Sequence, residues 1–162
     1  MNNQNEKSFV LERVFDAPKE KVWKAWTTPE MVKKWWGPNG FSCPVANIDF
    51  TQGGKYLFCM RNEADSKDYW STGEYEKIEP MERIVVSDSF ADAEGNRMPA
   101  SYYGMGSDWP TIMNIQTTFD EVDGKTKLTI KYDNLAGFSE KDFQDMNQGW
   151  NESLDKLEKV LA

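Results

Sequence analysis

The amino-acid sequence predicts an α+β domain: a curved antiparallel sheet of seven strands, two short helices, and one long C-terminal helix lying over the sheet. Three observations predict it. Apolar residues alternate with a period of two in six runs between residues 41 and 133. One further run of this kind opens the chain and is followed by two short helical runs. A single apolar stripe at helical spacing closes it.

Residues 8–15, SFVLERVF, put Phe9, Leu11, Arg13 and Phe15 on one face and Ser8, Val10, Glu12 and Val14 on the other. That is a strand with one arginine on its more apolar side. Asp16-Ala17-Pro18 marks a helix start, because proline fits the first turn. The helix KEKVWKAW follows and is expected to bury Val22, Trp23 and Trp26. Thr28-Pro29-Glu30 starts a second helix with Thr28 as N-cap. Met31 with Trp35, and Val32 with Trp36, stand one turn apart, and Gly37-Pro38 ends the helix.

Strands follow at 42–50, 55–61 (KYLFCMR), 69–78 (YWSTGEYEKI) and 83–90 (RIVVSDSF), with a turn at Thr51-Gln52-Gly53-Gly54. Residues 91–110 hold three glycines and two prolines without a clean period, the mark of a long loop, and such loops are often functional. TIMNIQTTF (111–119) and TKLTIKY (126–132) form a hairpin around Asp123-Gly124. Ser139 and Asp142 resemble a capping box, with Asp in place of Glu or Gln. From there Phe143, Met146, Trp150, Leu154, Leu157 and Leu161 recur at spacings of 3 and 4.

A chain of 162 residues suits one domain over residues 1–162, with 1–7 expected to be flexible. Its net charge of −8 disfavours nucleic acid and anionic membrane surfaces, which attract basic patches. No apolar run approaches a membrane span. The start, MNNQNEKS, has no apolar core of a signal peptide, so a cytoplasmic protein is expected. The chain contains no histidine, which excludes Ser-His-Asp and Cys-His catalysis and histidine metal ligands. No metal site and no cofactor is expected. The two cysteines, Cys43 and Cys59, read as buried thiols. A register centred on Gln52-Gly53 sets Cys43 opposite residue 62 and Cys59 opposite residue 46, so the two should not be bridged.

The segments RVFDAPKEKVWKAWTTPEMVKKWWGPNGF, TQGGKYLFCMR and GWNESLDKLEKVLA carry a resemblance. Together, Arg13 with Phe15-Asp16-Ala17-Pro18, Trp35-Trp36-Gly37, Gly53-Gly54 and Gly149-Trp150 resemble the SRPBCC (START/Bet v 1-like) superfamily. The branch they resemble most is named for the C-terminal domain of the activator of Hsp90 ATPase. The resemblance implies a helix-grip fold and no particular reaction, since function resides in sites rather than folds.

One helix cannot fill a curved sheet along its whole length, so a cavity is expected between the two, with its mouth near the short helices and the 91–110 loop. Tyr56, Phe58 and Met60 from one strand, Met113 and Ile115 from another, and Tyr132 are expected to line it. Met146 and Trp150 face them from the helix. Each of these residues, taken singly, also suits plain core. Trp70, Tyr75, Tyr102, Tyr103, Met105 and Trp109 form a second group near the long loop, as its packing or as a lid. Trp35 is expected to pack inward and Trp36 to sit on the rim. Arg13 needs a carboxylate, with Asp49, Glu74 and Glu76 as candidates, either as a structural ion pair or as a polar anchor for a ligand. Asp88, Asp108 and Asp120 read as solvated.

Binding of a small hydrophobic or aromatic molecule is the leading functional expectation, because the cavity walls suit it and no catalytic constellation is present. Contact with a chaperone partner, as the branch name implies, is the second. A cyclase or hydrolase working through Arg, Tyr or carboxylates is the third.

Overall fold

The computed structural model describes residues 7–106 and 108–162. The flexible start expected for residues 1–7 falls outside them except for Lys7. That residue is held: its Nζ donates to the Phe138 carbonyl at 2.7 Å and its carbonyl accepts from Leu135.

The chain runs β1 (Phe9–Phe15), α1 (Lys19–Thr27), α2 (Pro29–Trp35), β2 (Phe41–Ile48), β3 (Lys55–Asn62), β4 (Asp68–Glu79) and β5 (Arg83–Ala91). A two-residue strand β6 (Arg97–Met98), a 3-10 turn (Ala100–Tyr103), β7 (Met113–Val122), β8 (Lys125–Asp133) and α3 (Glu140–Leu161) complete it. Seven strands form one antiparallel sheet in the order β1-β8-β7-β5-β4-β3-β2, and β6 pairs with β5 off this path. The region 91–110 is therefore not wholly irregular. β1 and β2 lie at opposite edges, so α1 and α2 carry the chain across the concave side between them.

Alternation decides which face of each strand is buried. In β1, Phe9 and Phe15 are buried and Val10, Glu12 and Val14 are exposed. In β7, Met113, Ile115, Thr117 and Phe119 are buried in turn. The β7–β8 hairpin turns through Asp123 and Gly124, both at positive φ, as the tight primed turn requires. The β2–β3 register differs slightly from expectation: Phe41 pairs with Asn62 and Val45 with Cys59, and the ladder shifts between Ser42 and Val45. Cys43 sits in that irregularity, and both thiols are free and buried.

In the helices, Val22 and Ala25 are the buried residues of α1, while Trp23 and Trp26 are half-buried and pack against the core. Trp23 meets Phe119 edge-on at 5.0 Å. Thr28 takes the N-cap position of α2, but its side chain makes no capping bond, and Pro29 sets the first turn instead. The capping box of α3 is complete: the Asp142 N–H donates to Ser139 Oγ, and the Ser139 N–H donates to Asp142 Oδ2. Leu154, Leu157 and Leu161 in the C-terminal half of α3 are buried in the core. Phe143, Met146 and Trp150 in its N-terminal half are only partly buried.

Candidate functional site

The stretch WWGPNGF organises one end of the molecule. Trp35 is buried, and its indole N–H donates to the Ala25 carbonyl at 3.0 Å. The next residue turns its ring elsewhere, as adjacent helical positions must. Trp36 packs on Phe58 at 4.8 Å and edge-on against Trp150 at 5.5 Å. Gly37 then takes a φ of +106°, which favours glycine, and a Cβ there would press on Met60. The turn is tied to α3, since the Asn39 N–H donates to Glu152 and Lys156 donates to the Phe41 carbonyl.

Beyond this turn the N-terminal half of α3 leaves a cavity of about 570 Å³. Small-molecule sites commonly run from about 300 to 1,000 Å³. Trp36, Gly37 and Pro38 form one wall, and Met60, Tyr69 and Phe90 rise from the sheet. Met146, Gly149 and Trp150 close it from α3. Met105, Gly106 and Trp109 cover it from the loop before β7. The charged residues of its lining are Asp142 and Asp145, both on α3. The Trp109 indole N–H donates to the capping carboxylate of Asp142 at 3.1 Å, and its ring stacks on Phe138 at 4.5 Å. The Ser139 N–H, with a smaller contribution from Trp109, holds the Asp142 carboxyl below its ordinary range.

A second void of about 40 Å³ lies deeper. Tyr56, Phe58, Tyr75 and Ile115 line it together with Trp26. Trp36 and Trp150 border both spaces and form the partition between them. The Trp150 indole N–H donates to the Tyr132 hydroxyl at 3.1 Å, which fixes its ring, and its plane lies parallel to that of Trp26.

The structure thus brings most of the expected residues around these two spaces. Trp36, Met60, Trp70, Met105 and Trp109 border the larger, with Tyr132, Met146 and Trp150. Tyr56, Phe58, Tyr75 and Ile115 border the smaller. Trp35 and Met113 border neither and are buried core. Trp70 reaches the cavity although it pairs with Cys59, whereas its neighbours Tyr69 and Ser71 align with Met60 and Phe58.

Arg13 does not reach Asp49, Glu74 or Glu76. Its guanidinium bonds Asp155 Oδ1 at 2.7 Å and Asn151 Oδ1 at 2.9 Å, both on α3. Glu74 pairs across the sheet with Lys55 and Ser87. The partner of Arg13 lies far along the chain, and strand periodicity alone gives no sign of it.

Asp88 is the second correction. It is not solvated: it alternates with Ile84, Val86 and Phe90 on the concave face of β5, and Tyr56 donates a hydrogen bond to its Oδ1. Burial pushes its carboxyl up to about 7, while the Tyr56 hydrogen bond and Arg97 act in the other direction. The signal was the alternation itself, with an aspartate at a core position of RIVVSDSF.

The model of the Activator of Hsp90 ATPase homolog 1-like protein family matches residues 16–162. The chain belongs to this family. Among solved structures, a protein from Chromobacterium violaceum is 26% identical, with a TM-score of 0.75 over 96% of this chain and 97% of that one. A protein from Nitrosomonas europaea shares the fold at 18% identity, with a TM-score of 0.78 over 99% and 96%. A protein from Staphylococcus epidermidis is 26% identical, with a TM-score of 0.72 over 99% and 92%. No curated protein matches the chain. The family accounts for the sheet that grips a long helix, and among the described residues no helix is long and apolar enough to cross a membrane.

Proposed function

We propose that this member of the family binds a small hydrophobic or aromatic molecule in the cavity between the sheet and α3. The observation that carries the reading is the 570 Å³ space itself, walled by tryptophan, tyrosine, phenylalanine and methionine. Open apolar surface of this kind gains free energy when a ligand displaces its water. Methionines adapt to ligand shape, and the aromatic rings offer flat contact. The loop bearing Trp109 covers one side. Buried free thiols at Cys43 and Cys59 suit a reducing, cytoplasmic setting.

Native mass spectrometry on freshly purified protein, with extraction of any bound compound, tests this directly. A discrete extra mass, lost when Gly149 and Ser153 are enlarged to fill the space, is expected. If no compound in a broad apolar and aromatic panel raises the melting temperature, the reading falls.

Family membership supports a second reading, contact with an Hsp90-type ATPase. Stimulation of a purified ATPase of that type by this chain is its test.

A further inference from the structure

Two side chains of the cavity wall are buried, yet their hydroxyls are incompletely bonded. Tyr132 continues the buried face of β8 after Leu128 and Ile130. Ser153 continues the stripe of α3 after Met146, Gly149 and Trp150. Both border the cavity, with 7% of Tyr132 and 6% of Ser153 exposed.

The Tyr132 hydroxyl accepts the Trp150 indole N–H at 3.1 Å, and its own proton finds no acceptor among the described residues. Burial, and after it the charge of Asp88, push this hydroxyl above its ordinary range, so it keeps the proton at neutral pH. A hydroxyl that already accepts a hydrogen bond is a stronger donor. Ser153 stands three residues beyond Trp150, on the same face of the helix. Its hydroxyl makes no hydrogen bond among the described residues, not even the common one back to the carbonyl four residues earlier. The side-chain polar atom there that is both unbonded and wholly sealed is Ser89 Oγ, so the Ser153 oxygen keeps open surface, and the space it borders is the cavity. Buried polar groups left without partners are costly unless something completes their bonds. Water can do so in the free protein, and a ligand oxygen can replace it.

The carboxylates of the same lining are already engaged. Asp142 closes the capping box and accepts from Trp109, and Asp145 accepts from Lys141 at 2.9 Å. Among the described residues, no lysine or arginine lines the cavity.

We propose that the hydroxyls of Tyr132 and Ser153 hold the carbonyl oxygen of a neutral aromatic ketone in the cavity. The proposal rests on the ligand-binding reading above and narrows it to one chemical class. A carbonyl oxygen has two lone pairs and accepts from both hydroxyls. A carboxylate offers the same lone pairs, but it meets two negative charges in the lining and no positive one.

The experiment measures binding of 2-acetylnaphthalene, 2-isopropenylnaphthalene and 2-naphthoate to the full chain by equilibrium dialysis. The first two share one shape and differ only in C=O against C=CH2. The quantity read is the ratio of ketone to alkene affinity, in which any general loosening of the site cancels. Tyr132→Phe and Ser153→Ala are each expected to lower that ratio about fivefold. The ketone is expected to bind at least about tenfold more tightly than naphthoate. In the infrared, the carbonyl stretch of the bound ketone should move to higher frequency in both variants, as donated hydrogen bonds are lost. A ratio or a stretch that either substitution leaves unchanged, or naphthoate binding as tightly as the ketone, overturns the proposal. If Tyr132→Phe does not fold, Ser153→Ala decides alone. Should the ketone and alkene bind with a ratio that neither substitution alters, the cavity reading survives without this one. Failure of all three probes overturns both.

Discussion

Tyr56, Gly73 and Asp88 form a unit in which each residue explains the others. The glycine sits within β4, where a side chain would ordinarily pack better. Its missing Cβ is the space the tyrosine ring uses. Gly73→Ala forces the ring aside and breaks the hydrogen bond to Asp88. A loss of about 1–3 kcal/mol is expected, as for other overpacked cores, read as a lower urea midpoint. Asp88 also makes stability depend on pH. Its carboxyl rises from the ordinary 3.8 to about 7 on folding, with burial as the first cause. A group raised in this way favours the folded state while protonated. Its contribution is complete below about pH 4 and is lost as the pH climbs through about 7. Asp88→Asn removes that dependence, so urea titrations of the two proteins should diverge increasingly between about pH 4 and 8. Parallel curves across that range would show that Asp88 keeps an ordinary carboxyl.

At the level of elements, α3 performs two tasks with one apolar stripe. Leu154, Leu157 and Leu161 seal one end of the sheet, while Met146 and Trp150 stand over the cavity. Its first turn also holds the loop before β7, because the carboxylate that closes the capping box accepts from Trp109 as well. Trp109→Phe retains a ring to stack on Phe138 but loses this bond. About 1 kcal/mol of local stability should go with it. Amide exchange should then quicken around Met105 and Gly106, while the exchange of β7 and β8 stays as it was. Slower or unchanged exchange in the loop would mean that ring stacking alone fixes the cover.

For the molecule as a whole, the sheet divides the side chains into an inner set that shapes the cavity and an outer set that includes Cys59. Burial pushes the Cys59 thiol up to about 12 and the Cys43 thiol up to about 11. Neither is a useful nucleophile in the folded state. Ellman's reagent should therefore leave both unmodified until denaturant unfolds the chain, and reduction should produce no change in mass. Rapid labelling of either thiol in native buffer would mean that the β2–β3 edge opens readily.

Alternation, helical stripes and turn residues are local signals, so the seven main strands, the three helices and their order were legible in the sequence, while β6 and the 3-10 turn within 91–110 were not. Phe9, Leu11 and Phe15 showed their buried side in this way, as did the stripe from Phe143 to Leu161. The family resemblance, carried by pairs such as Trp35-Trp36 and Gly149-Trp150, agrees with the family to which the chain belongs. Tertiary structure alone decided the pairings between distant segments. Arg13 found Asp155 rather than a strand carboxylate, because α3 crosses β1 at that point. Which lining residues meet which space followed from how far α3 stands off the sheet, a packing distance that no residue spacing encodes. Asp88 lies between these cases. Its place in the alternation was legible, but the hydrogen bond that holds it needs Tyr56 from another strand and the absent side chain of Gly73.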